Sequence, residues 1–184
     1  MNPTQHSSLE TIRAMRHQEQ HYRVSSDYLS ELHTMTTALH TTTNVAVSAV
    51  PVDAACRFAM AEWCSRVADH CGFNKETVAI AINCLDRFMT TPYGKEILLD
   101  RLLYQRAAIV AFYSTSKIHE QEALSPGLLS QLTQGLHSPE EFEVMESVML
   151  NAIGWRINQP TAMSFARAMI DLIPNEYVTS CEKN

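Results

Sequence analysis

Leu102-Leu103-Tyr104-Gln105-Arg106-Ala107-Ala108-Ile109-Val110-Ala111-Phe112 is apolar on nearly every face of the helix that its composition favours. A helix that is apolar all round lies inside a domain, with other helices packed about it. The stretch extends from about Asp100 to Lys117 and is the expected central element. Helical segments flank it on both sides. Upstream, one runs from about Asp53 to His70. A second follows Asn74, a good cap, and carries Val78, Ile80, Ala81, Ile82, Leu85 and Phe88. Downstream, Ser125-Pro126 opens a short fourth helix. Ser138-Pro139-Glu140-Glu141 opens a fifth, with Ser at the cap, Pro at the first helical position and Glu at the third. Its inward stripe is Phe142, Met145, Val148, Met149, Ala152 and Ile153. Thr161, after Pro160, caps a final helix. An N-terminal helix is expected from about Ser8 to His21, capped by Ser7, and the Thr/Ser-rich stretch from Thr34 to Ser48 reads as a flexible connector. No stretch alternates well enough for a strand. The expected fold is all-α, a compact five-helix domain with a central third helix, preceded by an N-terminal helix.

Composition agrees and excludes several classes. A chain of 184 residues leaves room for one main domain, and 46% hydrophobic content suffices for a sizeable core. The formal charge is -6, and no dense Lys/Arg cluster is present, which argues against a dedicated nucleic-acid binder. Asp53 interrupts the longest apolar stretch, Val45 to Met60, so no membrane segment is expected. Met1 to Ser8 is polar and lacks an apolar signal core. Cys56, Cys64, Cys71, Cys84 and Cys181 contain no C-x-x-C pair and read as structural thiols of a reducing compartment. His17 and His21 have the i, i+4 spacing of a metal pair, but no third ligand is evident; a solvated helix face is the simpler reading, and no metal or cofactor is expected.

The apolar runs hold isolated ionic residues, and a charge there needs a partner or a purpose. The first core helix contains Cys56-Arg57-x-x-Met60-x-x-Trp63. The second contains Asn83-Cys84-Leu85-Asp86-Arg87-Phe88. The third ends in Ser116-Lys117-Ile118-His119-Glu120. Met145-Glu146 follows on the fifth helix, and Pro160-Thr161-Ala162-Met163-Ser164-Phe165 closes the series. Five such motifs in this order, from about Ala55 to Phe165, resemble the cyclin box, the N-terminal repeat of A-, B- and E-type cyclins. The resemblance implies a box over residues 51–172, an N-terminal helix and connector over 1–50, and a tail over 173–184. It also implies nuclear or cytoplasmic residence.

Arg57 and Asp86 read as an ion pair joining the first two helices, since either charge alone in an apolar interior is costly. Lys117 and Glu146, each alone, read as solvated surface charges. The resemblance makes them the pair that grips a helix of a cyclin-dependent protein kinase, with Ile118 and Glu120 beside them. A Lys donor and a Glu acceptor can satisfy exposed backbone groups at an incoming helix. The resemblance further implies a shallow docking groove for substrate or inhibitor peptides, built from Met60, Trp63, Val67, Arg101, Tyr104 and Gln105. Met60 and Trp63, at spacing three, equally fit a core stripe. Ile118, His119, Ser114 and Thr115 depart from the usual cyclin pattern at the end of the third helix, and the link from Thr90 to Leu99 is long. Thr91-Pro92, Ser125-Pro126 and Ser138-Pro139 match minimal proline-directed phosphorylation sites.

No Gly-rich nucleotide loop and no nucleophile with a base is present, so the chain is expected not to be an enzyme. The leading expectation is a regulatory subunit that binds and activates a cyclin-dependent kinase. The alternative is a cyclin-fold scaffold or transcription adaptor that binds no kinase; Lys117 and Glu146 together favour the first. Stopping soon after Phe165, the chain is expected to be either a single-box protein or a fragment lacking a second repeat.

Overall fold

A computed structural model describes residues 3–34 and 51–173. Every regular element among them is helical. In chain order these are α1 (Pro3–Glu19), a 3₁₀ turn (Gln20–Tyr22), α2 (residues 28–34), α3 (Ala54–Cys71), α4 (Lys75–Met89) and α5 (Pro92–Ile97). Then follow α6 (Arg101–His119), α7 (Pro126–Leu132), α8 (Pro139–Ala152) and α9 (Ala162–Ile170). Most of the expected connector, from residue 35 on, lies outside the described residues, as do residues 174–184 of the tail.

The chain divides into two units, and residues Val24–Asn158 form the larger. Its axis is α6, where every residue from Ala107 to Ser116 is buried. Helices α4 and α8 make its most extensive contacts, and α3 packs on both α4 and α6. Phe112, Leu85, Phe88 and Phe142 are fully enclosed, and Phe112 meets the ring of Phe73 at 6.2 Å between centroids. Burying an aromatic or Leu side chain this way contributes about 1.5–3 kcal/mol. Two hydroxyls inside this helix are satisfied locally. Thr115 donates to the Ala111 carbonyl at 2.7 Å and Ser116 to the Tyr113 carbonyl at 2.8 Å.

Local chemistry explains the helix ends. Asp53 caps α3 through the Cys56 amide, and Gly72 closes it at φ 70. A left-handed φ is the conformation that glycine adopts at least cost. Asn74 caps α4 and Asp100 caps α6. Ser138 and Glu141 form the expected reciprocal capping box of α8. The three proline-directed sequence matches are helix caps: Thr91, Ser125 and Ser138 each accept an amide of the turn they open.

Two expectations need correction. The long link from Thr90 to Leu99 contains α5, a single short helix seated against the end of α4. Gly94 permits this approach, since a Cβ there would lie 2.0 Å from the Phe88 carbonyl oxygen. The N-terminal helix begins at Pro3 rather than Ser8, so Ser7 lies within it; its carbonyl accepts the Thr11 hydroxyl at 3.0 Å. Proline suits a first helical position, where its missing N–H is no loss.

The smaller unit consists of Met1–Arg23 with Gln159–Asn184. In it α1 packs on α9, and the Gln5 amide donates to the Leu172 carbonyl at 3.3 Å. Thr161 caps α9 through the Ser164 amide. The division therefore groups α9 with α1, whereas the sequence expectation ran the box through residue 172.

Candidate functional site

The C-terminal turn of α6 carries Lys117, and the middle of α8 carries Glu146. Lys117 Nζ lies 2.5 Å from Glu146 Oε1. The lysine side chain is 39% exposed and the glutamate 13%. The same Oε1 accepts the Ser114 hydroxyl at 2.7 Å. Lys117 Nζ also stands 4.3 Å from the centroid of the Tyr113 ring, within cation–π range. Burial opposes the lysine charge, but Glu146, through both hydrogen bond and charge, outweighs it and holds the Lys117 pKa above its ordinary value. The ammonium has three donors. One goes to Glu146 and one side rests on the aromatic face, so a donor remains for a partner. The second carboxylate oxygen, Oε2, accepts nothing among the described residues.

A second ion pair precedes this one along both helices. Arg106 of α6 reaches Glu141 of α8 at 2.5 Å, and its Nε donates to Nδ1 of His137 at 3.3 Å. Arg106 and Lys117 of α6 thus meet Glu141 and Glu146 of α8 at two points where the helices cross. Beyond the crossing their C-terminal ends part: Glu120, after α6, meets the start of α4, whereas Arg87, near the end of α4, meets the carbonyls that end α8. Ile118, beside Lys117, is exposed, and Trp155, in the turn after α8, is 67% exposed. Trp155 adopts φ 59, rare for a bulky residue. Its amide bonds to the Leu150 carbonyl at 2.8 Å and its indole N–H to Asn151 Oδ1 at 3.1 Å, so the ring is held in solvent by its own turn. The motif reading did not single out Trp155. Its signal is the Gly154-Trp155 sequence directly after a helix, which places a large apolar side chain at an exposed cap.

Behind this face lies a scaffold network. Arg57 grips Asp86 with two bonds, Nε to Oδ1 at 2.8 Å and a terminal nitrogen to Oδ2 at 2.6 Å. Tyr28 of α2 donates to the same Oδ1 at 2.9 Å. The bond to Asp86 holds the Arg57 pKa up against partial burial, and burial pushes the Tyr28 phenol up as well. The pair thus ties α2, α3 and α4 together. Arg87, one residue on, donates to the carbonyls of Arg156 at 2.5 Å and Ile153 at 3.2 Å. A cation there satisfies the carbonyls left by the end of α8.

A family model described as the cyclin N-terminal domain matches residues 10–158. The chain belongs to the cyclin family. It is 30% identical over 112 residues to Cyclin-D3-2 of Arabidopsis thaliana, covering 60% of this chain and 30% of the relative. It is 24% identical over 116 residues to G1/S-specific cyclin-E1 of Mus musculus, 63% of this chain and 28% of that one. It is 29% identical over 109 residues to G2/mitotic-specific cyclin-2 of Saccharomyces cerevisiae, 59% and 21%. The match thus spans less than a third of each of these relatives. Their names include both G1/S and G2/mitotic classes, so no cell-cycle phase attaches to this cyclin. The family in general regulates cyclin-dependent kinases, and its members are regulatory rather than enzymatic.

The other expected site residues of this cyclin are placed differently. Glu120 does not stand beside Lys117. Its carboxylate accepts the Asn74 amide at 3.0 Å and the Thr77 hydroxyl, at the N-terminus of α4. A carboxylate is stabilised there by the orphan amides and the helix dipole. The expected groove is also redrawn. Met60 and Tyr104 are buried in the core, and burial pushes the Tyr104 phenol up to about 12. Arg101 is spent on the Pro51 carbonyl at 3.1 Å and the Asp53 carboxylate at 2.9 Å. Gln105 is half-buried and is not part of the lining of the groove beside Trp63. The physical reason is helical phase. Met60, Cys64 and Ala68 form the buried line of α3, which turns Trp63 and Val67 toward α7. Those two residues, with Phe73, Leu124, Leu128 and Leu132, line a groove of about 610 Å³. Arg66, His70 and Glu122 supply its polar lining.

Proposed function

We propose that this cyclin domain binds and activates a cyclin-dependent serine/threonine protein kinase, using the face formed by the end of α6 and the middle of α8. The observation that carries the reading is the Lys117–Glu146 pair, with a spare ammonium donor and a spare carboxylate oxygen. The backbone at a single end of an incoming kinase helix, with the loop that adjoins it, presents unpaired N–H and C=O groups close together. Glu146 Oε2 accepts from such an N–H and Lys117 donates to a neighbouring carbonyl, as charge-assisted hydrogen bonds. Ile118, next to Lys117, adds apolar area of the kind that anchors interfaces. Activation follows from mass action: a cyclin that binds only the active arrangement of the kinase shifts the population toward it. The Trp63–Val67 groove serves as the docking surface for short substrate or inhibitor peptides.

The test exchanges the two charges, Lys117→Glu with Glu146→Lys. The swapped pair can still form within the cyclin, so the fold is expected to persist by circular dichroism, while the polarity offered to the kinase is reversed. Loss of cyclin-dependent kinase from a pull-down is the expected result. Undiminished kinase capture by the folded double variant would favour a scaffold or adaptor that uses another face.

A further inference from the structure

We propose that Ser114 is a positioning residue for kinase binding, which fixes the Glu146 carboxylate so that one oxygen is kept for the partner. The inference rests on the kinase-binding reading of Lys117 and Glu146. Three consecutive hydroxyl residues, Ser114-Thr115-Ser116, lie in the buried part of α6. Thr115 and Ser116 bond back to carbonyls of their own helix, at Ala111 and Tyr113. Ser114 alone of the three reaches across to another helix, donating to Glu146 Oε1 at 2.7 Å. Lys117 contacts that same oxygen at 2.5 Å.

Two donors on one oxygen have a consequence for the other. A glutamate held only by a lysine can swing its carboxylate plane about the last torsion, because that torsion is broad, and its outer oxygen then points in no fixed direction. Lys117 is half-exposed on a flexible stem, so it can follow such a turn. Ser114 cannot follow it. Its hydroxyl sits on a single rotatable carbon of the central helix and is buried. Its bond fixes the plane of the carboxylate, with one oxygen held inward and the other, Oε2, aimed as the acceptor for an amide of the partner. The ordering is complete before the kinase arrives, so less freedom is lost on binding. Ser114 is small enough to leave room for Glu146, and it donates from a site where an apolar side chain would donate nothing.

The experiment is a binding cycle by isothermal titration calorimetry, using purified cyclin-dependent kinase catalytic subunits of the source organism, tested singly. The cyclin is compared as wild type, Ser114→Ala, Ser114→Cys, Glu146→Ala and Ser114→Ala with Glu146→Ala. Ser114→Ala is expected to raise Kd about tenfold, the loss of one hydrogen bond to a charged group converted at one decade per 1.4 kcal/mol. Ser114→Cys keeps the shape with a weak donor and should lose nearly as much. In the Glu146→Ala background, Ser114→Ala should change Kd less than twofold. Equal losses in both backgrounds would mean that Ser114 acts through packing, and would overturn the proposal. Wild-type affinity for Ser114→Cys, or for Ser114→Ala while Glu146→Ala is weakened, would also overturn it. If no kinase binds, or Glu146→Ala binds like wild type, the kinase-binding reading itself fails and the role of Ser114 falls with it.

Discussion

Asp86→Ala should destabilise this cyclin by about 2–4 kcal/mol, a figure composed of two unequal losses. Asp86 accepts two bonds from Arg57 and one from Tyr28. Arg57 is 37% exposed, so water can take over part of its hydration when the carboxylate is gone. The pair therefore stands between a surface pair, worth up to about 1 kcal/mol, and a buried one, whose disruption costs about 3–5 kcal/mol. Tyr28 is 4% exposed, and its hydroxyl loses the carboxylate to which it donates. An unsatisfied buried hydroxyl costs about 1–3 kcal/mol. Tyr28→Phe removes the hydroxyl with its bond and should cost only about 1 kcal/mol. Replacing Arg57 and Asp86 together by Leu should cost less than the sum of the single changes, because neither charge is then stranded. Urea unfolding with an unchanged slope gives these differences directly. In a thermal melt Asp86→Ala should lower Tm by roughly 4–16 °C, at 2–4 °C per kcal/mol for a chain of this size. A midpoint within 1 °C of wild type would refute the argument. So would Tyr28→Phe costing as much as Asp86→Ala, since the carboxylate would then matter only through the phenol.

Three further outcomes follow from local geometry. His137 is buried against Phe142 with Arg106 at its Nδ1, and burial followed by the Arg106 charge hold its pKa below the ordinary 6.5. The unfolded chain then binds the proton first, so this stability is present above about pH 6.5 and is lost as the pH falls toward the lower folded-state value. Urea midpoints from pH 8 to 5 should show that decline, with a smaller slope in His137→Gln. Gly94→Ala should destabilise by roughly 1–3 kcal/mol or more, because the clash is with the Phe88–Met89 backbone rather than a movable side chain; a thermal melt measures it. Burial pushes the Cys64 thiol up to about 12 and Cys84 to about 11, whereas Cys71 is exposed. Native-state alkylation read by mass spectrometry should label Cys71 well before Cys64 and Cys84, which are left to the unfolded chain.

What was legible in the sequence is what is decided locally. Caps such as Asp53, Asn74, Asp100 and Ser138 use atoms within three residues of the helix they open, and the sequence places them side by side. Charges stranded in apolar runs were legible for the opposite reason: Arg57 and Asp86 lie on two such helices, and isolation would be too costly. Helical phase was not legible. The first core helix carries apolar residues on several faces, so Met60 and Trp63 look alike until α7 is in place to claim one of them. Tyr104 misled in the same way, because a phenol suits either a rim or a core wall. The short helix α5 was hidden by its own Pro92 and Gly94, residues that usually punctuate loops. Here the proline starts the helix and the glycine lets it touch α4.

Ser114 belongs to a different class of omission. A hydroxyl amid Ala, Val and Phe reads as a departure from an apolar pattern, and its meaning depends on which atom it meets on another helix. Thr115 and Ser116 carry the same chemistry one and two residues later and serve only their own helix. A step of about 100° around α6 separates a hydroxyl that reaches the Glu146 carboxylate from one that closes a local bond. The residue type was visible, but its direction required the crossing of α6 and α8. That crossing is set by apolar packing along both helices, so the core that looks purely structural also determines which polar atoms meet at the surface.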